Sequence, residues 1–186
     1  MEVNITAKVR ISQTPEVIRT IKWYTRCLQT CINVAWRKKI KNNFELHHLV
    51  YKRIRKHLPS QLAISCIKQA CGIVKKAKSK PIIKRSSPRF NFPRNARLKG
   101  DILVLRLLKT RQEFKLNIPQ CYKEYFKWKV KESLLRIDKK GRCFFLFTLI
   151  LPPLKIVGFL VCVILTPLKE LSRPNVCFVK SHTYPL

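Results

Sequence analysis

Along residues 2–12 the chain alternates: Val3, Ile5, Ala7, Val9 and Ile11 fall on one side, with polar neighbours between them. A period of two predicts a half-buried β-strand. The period then changes. Ile18, Ile21, Leu28, Ile32 and Ala35 recur at helical spacings, after Thr14-Pro15-Glu16. Thr14 suits the N-cap and Pro15 the first helical position, so a helix is predicted from residue 15 to about 41. Trp23, Tyr24 and Trp36 widen its apolar face and are expected in the core rather than as base-stacking platforms.

Two further helices are predicted over 44–57 and 61–78, divided by Leu58-Pro59-Ser60. Ala63, Ile67, Ala70 and Val74 carry the apolar face of the last. Lysines 75, 76, 78 and 80 sit at the negative pole of its dipole, which gives part of the charge a structural reason. From 81 to 97, Pro81, Pro88 and Pro93 exclude a regular helix. Phe90 and Phe92 alternate there with Arg89, Asn91 and Arg94. That pattern reads either as a contact for nucleic acid or as a surface loop pinned by two phenylalanines.

Strands are predicted at 102–108 and 113–118, and again at 127–137 and 142–151 across an Asp138-Lys139-Lys140-Gly141 turn. The expected class is therefore α+β. It is a β-barrel or twisted sheet whose first strand is separated from the rest by a helical insertion. The expected divisions are a first strand at 1–12, a helical insertion at 13–80, a basic proline-containing linker at 81–99, further barrel strands at 100–151, and an apolar C-terminal tail at 152–186.

Charge changes the picture most. Forty Lys and Arg face nine Asp and Glu, a net +31. Such a chain repels itself unless a polyanion neutralises it, and nucleic acid is the expected partner. An anionic membrane surface is the competitor. From Leu46 to Gly100 there is no acidic residue and there are fifteen Lys or Arg. A merely solvated surface would mix the signs. Arg53, Arg55, Lys84, Arg85, Arg89, Arg94 and Arg97 are the expected phosphate contacts, arginine ranking first because its planar fork pairs bidentately with phosphate.

The eight cysteines point elsewhere than to disulfides or metal. The opening MEVNITAKVRIS has no apolar signal core, so reduced thiols are expected. Cys27-x3-Cys31 and Cys66-x4-Cys71 lack zinc-ribbon spacing and fall in helical patterns, where thiols pack as small apolar groups. His47, His48 and His57 are read as part of the basic surface. No metal, cofactor or small-molecule substrate is expected.

Catalysis is not expected either. The only aspartates, Asp101 and Asp138, fall at predicted turns, and no nucleophile–base arrangement or phosphate-cradling glycine loop is present.

Several segments together resemble the N-terminal half of OrfB/TnpB-type proteins of insertion sequences. They are Asn33 within CINVAW, LPSQLA (58–63), SPRF (87–90), GDILVLRLLKTR (100–111) and WKVKESLLRIDKKGRCFFLFTL (128–149). The likeness covers about residues 1–150. It implies a wedge-like, oligonucleotide-binding-like barrel with a helical recognition insertion, holding guide-like RNA and DNA. In that family a RuvC-like nuclease follows, with three carboxylates, divalent metal and a four-cysteine zinc insertion. Here residues 152–186 contain one acidic residue, Glu170. Two-metal hydrolysis needs several converging carboxylates, so the resemblance predicts binding without cleavage.

The tail admits two expectations. A frameshift or premature stop after codon 151 would leave an out-of-frame peptide and a broken transposon-associated remnant. Alternatively the apolar run 144–168 would anchor a small basic protein in a membrane. Lys155 near its middle and Pro152, Pro153 and Pro167 count against that. The expected location is the cytoplasm, in association with nucleic acid, with the membrane as the alternative.

Overall fold

The computed structural model describes residues 4–150. Strand β1 is Asn4–Arg10, with Ile5, Ala7 and Val9 turned inward as the alternation predicts. Helix α1 is Pro15–Arg37. Thr14 Oγ accepts the Val17 N–H at 3.3 Å, while its hydroxyl donates to Gln112 Oε1 at 2.8 Å. The cap thus fixes the helix start and ties it to a strand almost a hundred residues later. The helix stops at Arg37 because Lys39 turns left-handed (φ 55°). Ile40 then folds back into the core, its N–H donating to Ala35 O at 2.8 Å. An apolar residue packing back after a left-handed one is a common way to end a helix.

Helix α2 (Asn43–Arg55) starts at the Asn42 side chain, which accepts the Phe44 N–H at 2.9 Å. Helix α3 (Ser60–Lys76) packs against both α1 and α2. Tyr24 is fully buried and donates its hydroxyl to Gln69 Oε1 at 2.9 Å, stitching α1 to α3. Burial first, then the Cys66 thiol, raise its phenol well above the ordinary value, so it stays a donor. Trp23 and Trp36 are only partly buried, packed on the outside of the same core.

Cys27, Cys31, Cys66 and Cys71 are buried on these two helices, packing as the sequence suggests. Burial, reinforced by Cys31, pushes the Cys27 thiol up to about 11. A hydrogen bond with Cys31 and burial raise Cys66 as well. The unfolded chain releases a thiol proton near pH ~8.5, so the folded state holds its proton over a range in which the unfolded state does not. The stability contributed by Cys27 is therefore fully present below that value and is lost as pH rises through about 11. The urea midpoint is expected to fall across this window, and to fall less in Cys27→Val. Identical pH profiles for the two proteins would remove the thiol as the cause.

The remaining strands are β2 (Arg89–Phe90), β3 (Ala96–Lys99), β4 (Ile102–Arg106), β5 (Arg111–Lys115), β6 (Lys129–Val130), β7 (Ser133–Ile137) and β8 (Cys143–Ile150). A short helix α4 (Gln120–Lys123) and a 3-10 turn (Glu124–Lys127) precede β6. One sheet runs β1-β8-β7-β2, with β6 also on β8, and the other runs β3-β4-β5. All pairings are antiparallel. The predicted 127–137 strand is broken by a bulge: Val130 to Leu134 is four steps, facing three from Leu149 to Leu146. The extra residue bends the strand, and Ser133 Oγ donates to Lys131 O at 3.2 Å across the bend.

The predicted barrel requires correction. Among the described residues the strands form two open antiparallel sheets, with no closed barrel. The reason lies in 81–99, expected to be a linker. It supplies β2 to the first sheet and β3 to the second. With β3 as partner, β4 and β5 complete a sheet of their own instead of extending the one that contains β8. Phe90 is fully buried, its ring 5.8 Å from that of Phe145, and Phe92 packs on Phe145 and Phe147. Both rings anchor the segment to the core, and Phe90 has no face to offer a base.

Asp138 and Gly141 form the expected hairpin turn: the Arg142 N–H donates to Asp138 Oδ1 at 2.8 Å, and Gly141 takes φ 81°. Residues 144–150 of the apolar run belong to β8. Its residues 151–168, and the predicted tail 152–186, lie outside the described residues. Among the described residues no helix is long and apolar enough to cross a membrane.

Candidate nucleic-acid interface

Helix α1 and the outer face of the first sheet do not close on each other. A groove of about 1050 Å³ lies between them. Its floor is apolar: Ile18 and Ile21 from α1, Phe144 and Leu146 from β8, Ile137 from β7. Its rim is basic: Lys8 from β1, Lys22 and Arg26 from α1, Lys84 and Arg85, and Arg136 and Lys139 around the end of β7.

Local chemistry holds this rim in place. Gln29 of α1 uses both halves of its amide, donating to Pro81 O at 3.2 Å and accepting the Ile83 N–H at 2.7 Å. Four residues earlier, Thr25 Oγ lies 2.8 Å from Ser86 Oγ in a hydrogen bond. The proline-rich segment is thereby laid along α1, and Lys84 and Arg85 are carried to the groove mouth. On the opposite wall Lys8 Nζ sits 4.1 Å from the Phe144 ring centroid and the Arg142 guanidinium 5.7 Å from it. Those cation–π contacts occupy the ring, so Phe144 acts as a spacer for charge rather than as a stacking platform.

The seven rim cations face a single carboxylate, Asp138. That carboxylate is already engaged, its Oδ2 accepting from Arg142 Nε at 2.7 Å. Slight burial works against its ionisation, but the hydrogen bonds and charge of Arg142 outweigh this and hold it below the usual carboxylate range. Among the described residues none of the seven rim cations makes an ion pair. The surface can therefore receive an anion, and its one carboxylate is not poised to take a proton or to share a metal. No cluster of three potential metal ligands occurs among the described residues.

The seven residues expected from the sequence do not form one site. Lys84 and Arg85 line the groove. Arg89 donates to Glu132 Oε2 at 2.9 Å, Glu132 being exposed by the bulge, so its charge is offset. Arg53 lies on the helical side with Trp36, Arg37 and Lys80 around a shallow depression. Arg55 donates to Leu58 O at 3.3 Å, near the Trp23–His57 stack. Arg97 belongs to the second sheet and Arg94 to the turn leading into it, both beside a separate concavity. Five rim cations were not among the expected seven: Lys8, Lys22, Arg26, Arg136 and Lys139. Lys22 and Arg26 are one helical turn apart, and Lys8 and Arg136 take exposed positions on alternating strands, so periodicity carried a signal for each. Nothing local indicated that these two surfaces face each other.

No protein-family model matches the chain, and no characterised protein matches it in sequence.

Proposed function

We propose that the chain binds nucleic acid, RNA or DNA, through the groove between α1 and the first sheet, and does so without cleaving it. The observation that carries this reading is the rim: seven cations drawn from separate parts of the chain, against one carboxylate committed to Arg142. The net charge of +31 supports the same partner, since phosphate neutralisation releases counterions and relieves self-repulsion. The resemblance of residues 1–150 to the N-terminal half of OrfB/TnpB-type proteins agrees with an RNA- or DNA-holding role. On this reading the protein associates with nucleic acid in the cytoplasm. The apolar floor accommodates sugar and base edges, and the rim arginines take the phosphates.

The test is the salt dependence of binding. A labelled RNA hairpin and a DNA duplex are titrated between 50 and 300 mM salt. If about five phosphates are neutralised together, log affinity falls against log salt with a slope of about −4 or steeper. Cleavage products are sought in the same samples with Mg²⁺ present, and none are expected. A slope near zero, or tighter binding to anionic vesicles than to either nucleic acid, would overturn the reading.

A further inference from the structure

The second sheet carries a concavity on the face turned away from the core. In the strand register Arg106 stands directly opposite Arg111, and Arg97 lies opposite Val104 on the same face. Arg94 and Lys99 complete a wall of five cations, with Glu113 as its single carboxylate. Like charges paired directly across two strands oppose folding unless something neutralises them.

A second observation comes from beneath the surface. Asn95 also lines this concavity and is only 3% exposed. Its backbone is fully used: its N–H donates to Asn91 O at 3.1 Å, and its carbonyl accepts the Arg106 N–H at 2.9 Å. Its Oδ1 accepts the Asn91 N–H at 2.6 Å, which fixes the amide orientation. The Nδ2 is then left buried with no hydrogen-bond partner. A buried amide donor without an acceptor is costly, and this one belongs to a residue that lines the same concavity as four arginines. Of the charged side chains on the wall, all but Glu113 are donors.

The volume is about 180 Å³, smaller than a pocket for a whole nucleotide-sized ligand and far too small for a length of strand. We propose that this concavity binds a phosphomonoester, the terminal phosphate of a nucleic-acid strand. This rests on the nucleic-acid reading above. An internal phosphodiester carries one negative charge, whereas a terminal monoester carries about −1.5 to −2 near pH 7 and presents three acceptor oxygens. Five cations against one carboxylate match the second better than the first. The oxyanion separates Arg106 from Arg111 electrostatically and brings acceptors to the concavity that Asn95 lines.

The experiment uses the full chain and four probes: one single-stranded oligonucleotide with a 5′-phosphate, a 3′-phosphate or neither, and adenosine 5′-monophosphate. At fixed salt, one of the phosphorylated ends is expected to bind about tenfold tighter than the hydroxyl form, the scale of one or two charge-assisted hydrogen bonds. Adenosine monophosphate is expected to raise the melting temperature. In the double variant Arg106→Gln/Arg111→Gln both effects disappear, while affinity for the unphosphorylated strand is retained. Equal binding of all three strands, together with no thermal shift, overturns this proposal and leaves the groove reading standing. A thermal shift that depends on Arg106 and Arg111, in a protein that binds no strand, supports the phosphomonoester site and overturns the nucleic-acid reading instead.

Discussion

Reversing Lys22, Arg26, Arg85 and Arg136 to glutamate is expected to lower nucleic-acid affinity by a factor of about a hundred or more at 100 mM salt. All four side chains are exposed, so the change acts on the surface rather than the core. They come from α1, from the segment laid along it and from β7, and they converge only at the groove. Each reversal removes a phosphate contact and adds a repulsive charge, and the effects accumulate because one strand must satisfy all four. The salt slope should flatten in parallel. The matched control reverses Lys52, Arg53, Arg55 and Lys56, all exposed on the helical side, where a loss of only a few-fold is expected from the change in net charge. Equal losses from the two sets would mean diffuse attraction to the whole basic surface and would remove the groove as the site.

Phe145→Ala should be the most damaging single truncation. The ring is fully buried and lies 4.8 Å from Phe147, 5.8 Å from Phe90 and 6.3 Å from Phe92. Emptying such a site costs about 3–5 kcal/mol, from lost transfer energy and the cavity left behind. A domain of this size has only about 5–15 kcal/mol in total, so the variant should be partly unfolded at 37 °C. Its neighbour Phe144 points to the groove, half-buried under Lys8 and Arg142, and Phe144→Ala should cost about 1 kcal/mol. Urea denaturation of the pair reads the register of β8 directly, because a slip of one residue exchanges the two faces. Comparable costs for both variants would contradict the pairing of β8 with β1 and β7.

Local chemistry was legible where the partner was close in sequence. Thr14 and Pro15 announced the start of α1, and Asp138 with Gly141 announced the β7–β8 turn, because a cap or tight turn is settled by residues within four positions. For the same reason the alternation of β1 named Ile5, Ala7, Val9 and Ile11, and the stripe of α1 named Ile21, Leu28, Ile32 and Ala35, whereas Ile18 reaches the groove and Val17 takes the buried place beside it. The thiols of Cys27, Cys31, Cys66 and Cys71 were rightly read as apolar filling. Legibility failed in 81–99. A two-residue strand such as Arg89–Phe90 has no period of its own, and it exists because Ser133 and Leu134 offer a free edge. The candidate site failed in a related way. Closeness along an extended segment does not bring side chains together, so Arg85, Arg89 and Arg94 reach three different surfaces.

The sequence by itself determined the α+β class, the three long helices and the Thr14 cap of the first, the hairpin turn, the apolar filling and a charge that calls for an anionic partner. Each follows from composition or from interactions spanning a few residues. Only the tertiary structure decided that the strands split into two open sheets, that Arg89 is offset by Glu132, and that Lys8, Lys22, Arg26 and Arg136 share a groove with Lys84 and Arg85. Those outcomes depend on β1 pairing with β8 and on Gln29 and Thr25 seizing a segment more than fifty residues away. Contacts of that range are selected by packing and edge availability across the whole chain, which no local pattern encodes.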